Sequence, residues 1–356
     1  MRRVDAKNAR TGMTIASDVY ALSGQLVIPK GVVLNSKTIS KLGFYSIPFI
    51  LVEDDEVTLG ARNTERTYHE KVQSDPQFIA FKHKFEEEVV SFKEHMNEVI
   101  NLNEPLDVDE LLERTGSMMS AAPDSIGILT LLSNMHNYDD ETFAHSMNVA
   151  LICNLFAKWV HLSDDEITMA TLCGLLHDIG KLTIPESILR KPARLTEAEY
   201  ARIKDHPRAG YEILRKNNMD PHICNAALMH HERCDGGGYP LRLKGAQIDP
   251  FAKIVAIADV YDATTSPRVY RGPMCPFEVI RMFEQDGLQK YDPGYIMTIL
   301  ENIVNTYLLE TVRLSDGKEG QVIYINKNHL ARPTIKIDGG YFDLSTNRDV
   351  NIVAII

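Results

Sequence analysis

Residues 171–181 read TLCGLLHDIGK, an apolar helical run that ends in adjacent His177 and Asp178 and continues into Gly180 and Lys181. Charged or ligand-type side chains against an apolar run are costly unless something pairs with them. A lone histidine in such a place is usually satisfied by a hydrogen bond inside the core, so this stretch alone decides little. Whether it marks a structural turn or a reactive centre depends on what other segments bring to it.

Four other segments bring the same chemistry. ETFAHSMNVALICNLFAKWV (141–160) places Glu141 and His145 four apart, on one helix face. DHPRAGYEIL (205–214) supplies His206, and NAALMHHERCDGGGYP (225–240) supplies His230, His231 and Glu232 ahead of three glycines and Tyr-Pro. AKIVAIADVYDATTSPRVYR (252–271) carries Asp259 in an otherwise apolar helix, then Arg268 and Arg271. Each has a structural explanation of its own. The Glu141/His145 pair reads equally as a solvated face, Asp259 as a core carboxylate on a backbone amide, the arginines as solvated cations, and DGGGYP as a helix-stopping turn. Together they place five histidines and two or three carboxylates at helix ends or in apolar surroundings. One shared metal site satisfies most of them at once.

The motifs HDIGK, DHP, HHERCDGGGYP and IADVYDATTSPRVYR, in this order, resemble the signature of the HD-GYP family, a branch of the HD metal-dependent phosphohydrolases acting on cyclic di-GMP. The resemblance covers about residues 125–312 and rests on four separated motifs. It implies that His177 and Asp178 are the HD pair, with Asp178 bridging two metals. His206, His230 and His231 complete one metal's shell, Asp259 is the later aspartate ligand, and His145 is the histidine preceding the HD pair. Glu141 matches the extra glutamate of members that bind a third metal. Lys181, Arg268 and Arg271 match cations near the substrate phosphates. Asp235 and Tyr239 belong to the GYP loop, which the glycines let return over the pocket mouth as a substrate contact. Family members use that loop towards diguanylate cyclases, so a partner surface there is implied. Glu232 is expected to orient a ligand histidine or to cap local structure.

The chemistry suits these residue types. Phosphodiester hydrolysis near neutral pH needs an activated water and stabilisation of charge on phosphoryl oxygens, which a pair of bridged metals provides by an in-line attack of hydroxide on phosphorus. Imidazoles mixed with carboxylates, and no cysteine, suit iron or manganese better than a structural zinc site; the resemblance favours iron, with two or three ions. Catalysis falls to Asp178 and Lys181, phosphate binding to Lys181, Arg268 and Arg271.

The rest of the chain sets limits. A formal charge of −11 over 356 residues argues against a protein that coats nucleic acid. Five cysteines without a CxxC pair, and no apolar stretch near the roughly 18 residues of a membrane span, point to a reduced, cytoplasmic protein that neither enters a membrane nor binds a nucleic-acid polymer. Residues 1–60 read as a small β-rich module with one short helical piece at 35–44. Residues 61–106 read as a linker and an amphipathic helix, with Phe78, Phe81, Phe85, Val89, Phe92, Met96 and Val99 at helical spacing. That helix fits a strut, a homodimer surface or packing onto its own domain. Residues 107–313 read as the helical catalytic domain, with capping boxes at SDDE (163–166) and TEAE (196–199). Residues 314–356 read as a C-terminal β appendage of hairpin strands. The fold expected is mostly α, a helical HD-type bundle with small β parts at both ends.

The activity expected is hydrolysis of cyclic di-GMP to linear pGpG, the end product being left open between pGpG and GMP. Two alternatives stand beside it: a phosphodiesterase for mixed cyclic GMP-AMP, and a catalytically silent receptor for cyclic dinucleotides.

Overall fold

Phe78, Phe81, Phe85, Val89, Phe92, Met96 and Val99 are all buried along one side of α1, Pro76–Leu102. They join the hydrophobic core of the helices that follow, so this apolar stripe packs onto its own domain and is not free to act as a dimer surface. In this computed structural model all residues are described except Met1 and residues 7–8, 21–25, 36–37, 40, 43–46, 48, 53–71, 103, 122–124, 134, 136–140, 192, 267–273 and 338. The linker expected from residue 61 lies mostly outside the described residues.

The chain forms two compact units, Met1–Glu65 and Arg66–Ile356. In the first, β1 (Arg2–Asp5) pairs antiparallel with β4 (Phe49–Val52), and β2 (Val19–Tyr20) with β3 (Leu26–Ile28). Ile15, Ile28, Leu34, Leu42, Ile50 and Val52 form its separate core. Of the short helical piece expected at 35–44, Asn35 is described and lies outside a helix, and residues 38–39 and 41–42 are helical.

In the second unit α1 is followed by α2 (Val108–Ala121), α3 (Ser125–Ser133), α4 (Glu141–Trp159) and α5 (Asp164–Leu176). Then come α6 (Glu197–Lys204), α7 (His206–Lys216), α8 (Pro221–Met229), α9 (Pro250–Thr265), α10 (Pro276–Met282) and α11 (Pro293–Asn305). Local sequence explains the starts. Ser163 and Thr196 close capping boxes with Glu166 and Glu199. Asp220, Asp249 and Asp292 each precede a proline at the first helical position and accept the amide two residues on, which satisfies an orphan donor where proline has none to lose. α4 and α5 approach so closely that a Cβ on Gly174 would lie 2.9 Å from Val149 O and from Cys153 Sγ. α9 packs on α4, α5 and α8. The HD turn therefore sits among these four helices and α7.

The C-terminal strands β5 (Thr311–Leu314), β6 (Glu319–Tyr324), β7 (Thr334–Ile337), β8 (Gly340–Asp343) and β9 (Ile352–Ile355) form one antiparallel sheet in the order β8-β7-β6-β5-β9. β6 to β9 fall in the stretches read as strands, whereas β5 lies mostly in residues assigned to the helical domain, and the sheet is more than an appendage. Val312, Leu314, Val322, Ile335 and Ile352 are buried in the same core as the helices. Glu284 accepts the amides of Leu330 and Ala331, and Arg281 donates to Asn351. A boundary at 313/314 would cut β5, and residues 66–356 share one unit. All five cysteines are free thiols. Among the described residues no helix is long and apolar enough to cross a membrane.

Candidate metal centre

Four of the expected histidines stand where helices begin or end. His177 follows the last residue of α5, His206 is the first of α7, and His230 and His231 follow α8. At these positions backbone carbonyls are free to accept. His177 Nδ1 donates to Gly174 O at 2.7 Å, His206 Nδ1 to Ile203 O at 2.7 Å, and His230 Nδ1 to Ala227 O at 2.9 Å. A carbonyl can only accept, so each Nδ1 carries the proton and each Nε2 of the neutral ring presents a lone pair. His145, inside α4, is held differently: its Nδ1 donates to Asp262 Oδ2 at 2.7 Å.

The lone pairs converge. His206 Nε2 lies 3.2 Å from His230 Nε2 and 3.1 Å from Asp178 Oδ1. His177 Nε2 is 3.3 Å from Asp178 Oδ2, and His145 Nε2 is 3.1 Å from Asp259 Oδ1. His177 Nε2 and Asp178 Oδ1 are buried with no hydrogen-bond partner, although such atoms are costly to strand. Two imidazole lone pairs at 3.2 Å repel unless a cation stands near both. The donor atoms form three overlapping triplets, His206/His230/His231, His177/Asp178/His230 and His145/His177/Asp259, each spanning at most 4.8 Å. Orphaned donors in borderline N/O triplets fit divalent metal ions, as the sequence led us to expect.

Electrostatics agree. Burial alone would raise Asp178, yet Lys181 and His177 hold it well below the usual carboxylate range. Against burial, His145 and His177 likewise hold Asp259 low. Burial pushes His230 well below the ordinary imidazole value and His231 down to about 4, so neither binds a proton near neutrality. His145 is the exception. Burial opposes its charge, but Asp259 and Asp262 outweigh that and push it up to about 10. The cluster is short of positive charge, and in the absence of a metal ion one imidazole takes up a proton to supply it.

Other residues hold the frame. A Cβ on Gly180 would fall 2.0 Å from His206 O and 2.5 Å from Gly210 N, so only glycine lets the HD turn touch α7. Glu232 is buried, and its carboxylate accepts the amides of Leu241, Arg242 and Leu243 at 2.6–3.0 Å. It caps the loop, one of the two roles expected. Asp235 is exposed and accepts the Gly237 amide at 2.7 Å, which turns the loop. Tyr239 returns over the cluster and stacks on His231 with ring centres 4.7 Å apart.

His145, His177, Asp178, Lys181, His206, His230, His231 and Asp259 are thus brought together. Lys181 pairs directly with Asp178. The side chains of Glu141, Arg268 and Arg271 lie outside the described residues. Sequence reasoning missed Asp262, which is 3% exposed and ties His145 to Asn148 Nδ2 at 2.9 Å and Ser266 Oγ at 2.9 Å. Its signal was its place three residues after Asp259 in DVYDA, one face of the same helix.

Residues 128–294 match a family model described as HD domain. Cyclic di-GMP phosphodiesterase PA4108 of Pseudomonas aeruginosa is 35% identical over 211 residues, 59% of this chain and 50% of its own length. The 3'3'-cGAMP-specific phosphodiesterase 1 of Vibrio cholerae is 41% identical over 186 residues, 52% of this chain and 43% of that protein. The cyclic di-GMP phosphodiesterase response regulator RpfG of Xanthomonas campestris is 43% identical over 135 residues, 37% and 36% of the two chains. The chain spans half or less of the length of these relatives. Among solved structures, Bd1817, a HDG"Y"P protein from Bdellovibrio bacteriovorus, aligns with a TM-score of 0.44 at 17% identity, covering 85% of this chain and 99% of that one.

Proposed function

We propose that residues 128–294, which match an HD-domain model, form a catalytic domain of the HD-GYP kind, and that the chain is a metal-dependent phosphodiesterase that opens cyclic di-GMP to linear pGpG. One observation carries the reading: the buried Nε2 lone pairs of His177, His206 and His230, their tautomers fixed by backbone carbonyls, converge with the carboxylates of Asp178 and Asp259 on one cluster. Metal ions held there by His145, His177, Asp178, His206, His230, His231 and Asp259 would supply Lewis acidity and a water of lowered pKa. Glu141 serves as a ligand if a third ion binds.

The chain's own residues do the rest. Asp178, clamped between Lys181 and the histidines, stays ionised as the central anion. Lys181 balances part of its charge and stands beside the phosphate under attack. Glu232 locks the 235–240 loop so that Tyr239 roofs His231. Arg268 and Arg271 take phosphate oxygens. The same reading carries iron in preference to manganese, on the family resemblance alone, and a cytoplasmic place of work. The exposed part of the loop around Asp235 and Gly237 offers a contact for a diguanylate cyclase, and a homodimer is compatible with it.

The test is to incubate iron- or manganese-loaded protein with cyclic di-GMP and separate the products by chromatography. Expected is pGpG. Binding without product would instead make the chain a receptor. A parallel incubation with 3'3'-cyclic GMP-AMP addresses the second reading, favoured by the Vibrio cholerae relative named above; faster turnover of that substrate would replace cyclic di-GMP.

A further inference from the structure

Lys204 closes the last turn of α6, where the helix dipole alone favours a cation. The dipole does not explain where the ammonium goes. Nζ sits 4.5 Å from the centre of the Tyr239 ring, on a distant loop, and 5.8 Å from the ring of Tyr200, one helical turn back. His231 stacks on Tyr239 at 4.7 Å; one ring face cannot hold both, so the ammonium takes the face turned away from the imidazole. Among the described residues no carboxylate pairs with Lys204, whereas Lys181 is held by Asp178. Tyr200 is 56% exposed, an aromatic face left in solvent beside a positioned cation.

A strip therefore leads outwards from the metal centre: His231, Tyr239, Lys204, Tyr200. A cyclic dinucleotide carries two phosphates, and only one can lie at the reacting position. The other needs a cation, because the carboxylates of Asp178, Asp259 and Asp262 repel it. Resting on the function proposed above, we infer that Lys204 binds the phosphate that is not cleaved and that Tyr200 offers a stacking surface to the adjoining base. An ammonium meets phosphate as a compact charge, and ring faces hold it without a competing carboxylate. Stacking is tolerant of base identity, so the strip selects rings with two phosphates without choosing between guanine and adenine.

The test uses the metal-loaded chain. Lys204→Gln should weaken binding of a hydrolysis-resistant phosphorothioate analogue of cyclic di-GMP about tenfold, the loss of one charge-assisted hydrogen bond. The KM for bis(p-nitrophenyl) phosphate, which has a single phosphate, should rise far less. Tyr200→Ala should weaken the cyclic analogue severalfold and Tyr200→Phe should restore it. Atomic absorption should find the metal content of Lys204→Gln intact. Unaltered affinity in Lys204→Gln, equal losses for the two ligands, or loss of metal would each overturn the assignment. A wild-type chain that cleaves the small diester but binds no cyclic dinucleotide would remove the functional reading, and this inference with it.

Discussion

At the scale of single residues, the centre depends on which nitrogen of each imidazole carries a proton. Backbone carbonyls at helix ends decide this for His177, His206 and His230. His145 lies inside a helix, where no carbonyl is free, so Asp262 does the work. Asp262→Ala should therefore lower metal affinity about 10- to 100-fold, the usual effect of removing a carboxylate behind a ligating histidine. Asp262→Asn, whose amide oxygen still accepts from Nδ1, should recover part of it; titration with manganese followed by paramagnetic resonance would measure both. Equal affinity in all three proteins would show that Asp262 does not position His145. The residues that converge on the cluster were legible in the sequence because histidines and carboxylates stood out against apolar runs. Asp262 was not, because a second aspartate one turn from Asp259 looks the same whether it faces solvent or a histidine on another helix. The stacking of Tyr239 on His231 was hidden for a similar reason, since it depends on how a loop folds back.

At the scale of elements, the centre exists because the HD turn touches α7. Gly180→Ala would place a methyl 2.0 Å from the His206 carbonyl, and backbone cannot yield as a flexible side chain can. The substitution should cost at least about 2–3 kcal/mol in denaturant unfolding and lower metal content by separating His206 from Asp178. Gly116→Ala is the matched comparison. Gly116 is exposed inside α2 with nothing within 4 Å of the added atom, so the change should stabilise by about 0.5–1 kcal/mol. Similar effects at the two positions would contradict the close approach. The helices themselves were readable: the capping boxes and the seven-residue stripe of α1 are local signals. The close packing at Gly180 was not, because a glycine after HD reads equally as a simple turn.

At the scale of the whole molecule, the buried imidazoles set how stability without metal varies with pH. His230 and His231 are depressed in the fold, His231 to about 4, against an ordinary 6.5. As pH falls below 6.5 the unfolded chain gains protons that the native state refuses, so stability drops. His145 is raised to about 10; its contribution is complete below 6.5 and is lost as pH rises towards that value. The metal-free chain should therefore be most stable near pH 6.5, read as the urea midpoint across pH 4.5–9.5, and a steady rise through pH 9 would contradict this charge balance. At this scale the sequence showed the order of parts: a β-rich start, a helical body and a β-stranded end. It did not show that the terminal sheet shares the helical core, because alternation in a strand tells that one face is buried but not against what. The central claim is that residues from α4, α5, α7, α8 and α9 hold divalent metal ions. Elemental analysis of anaerobically purified protein, wild type beside Asp178→Ala, tests it most directly. The expected result is at least two transition-metal ions per wild-type chain and a near-complete loss in the variant, with the helical circular dichroism of both alike. Wild-type protein without bound metal after reconstitution, or a variant that retains its full complement, would contradict it.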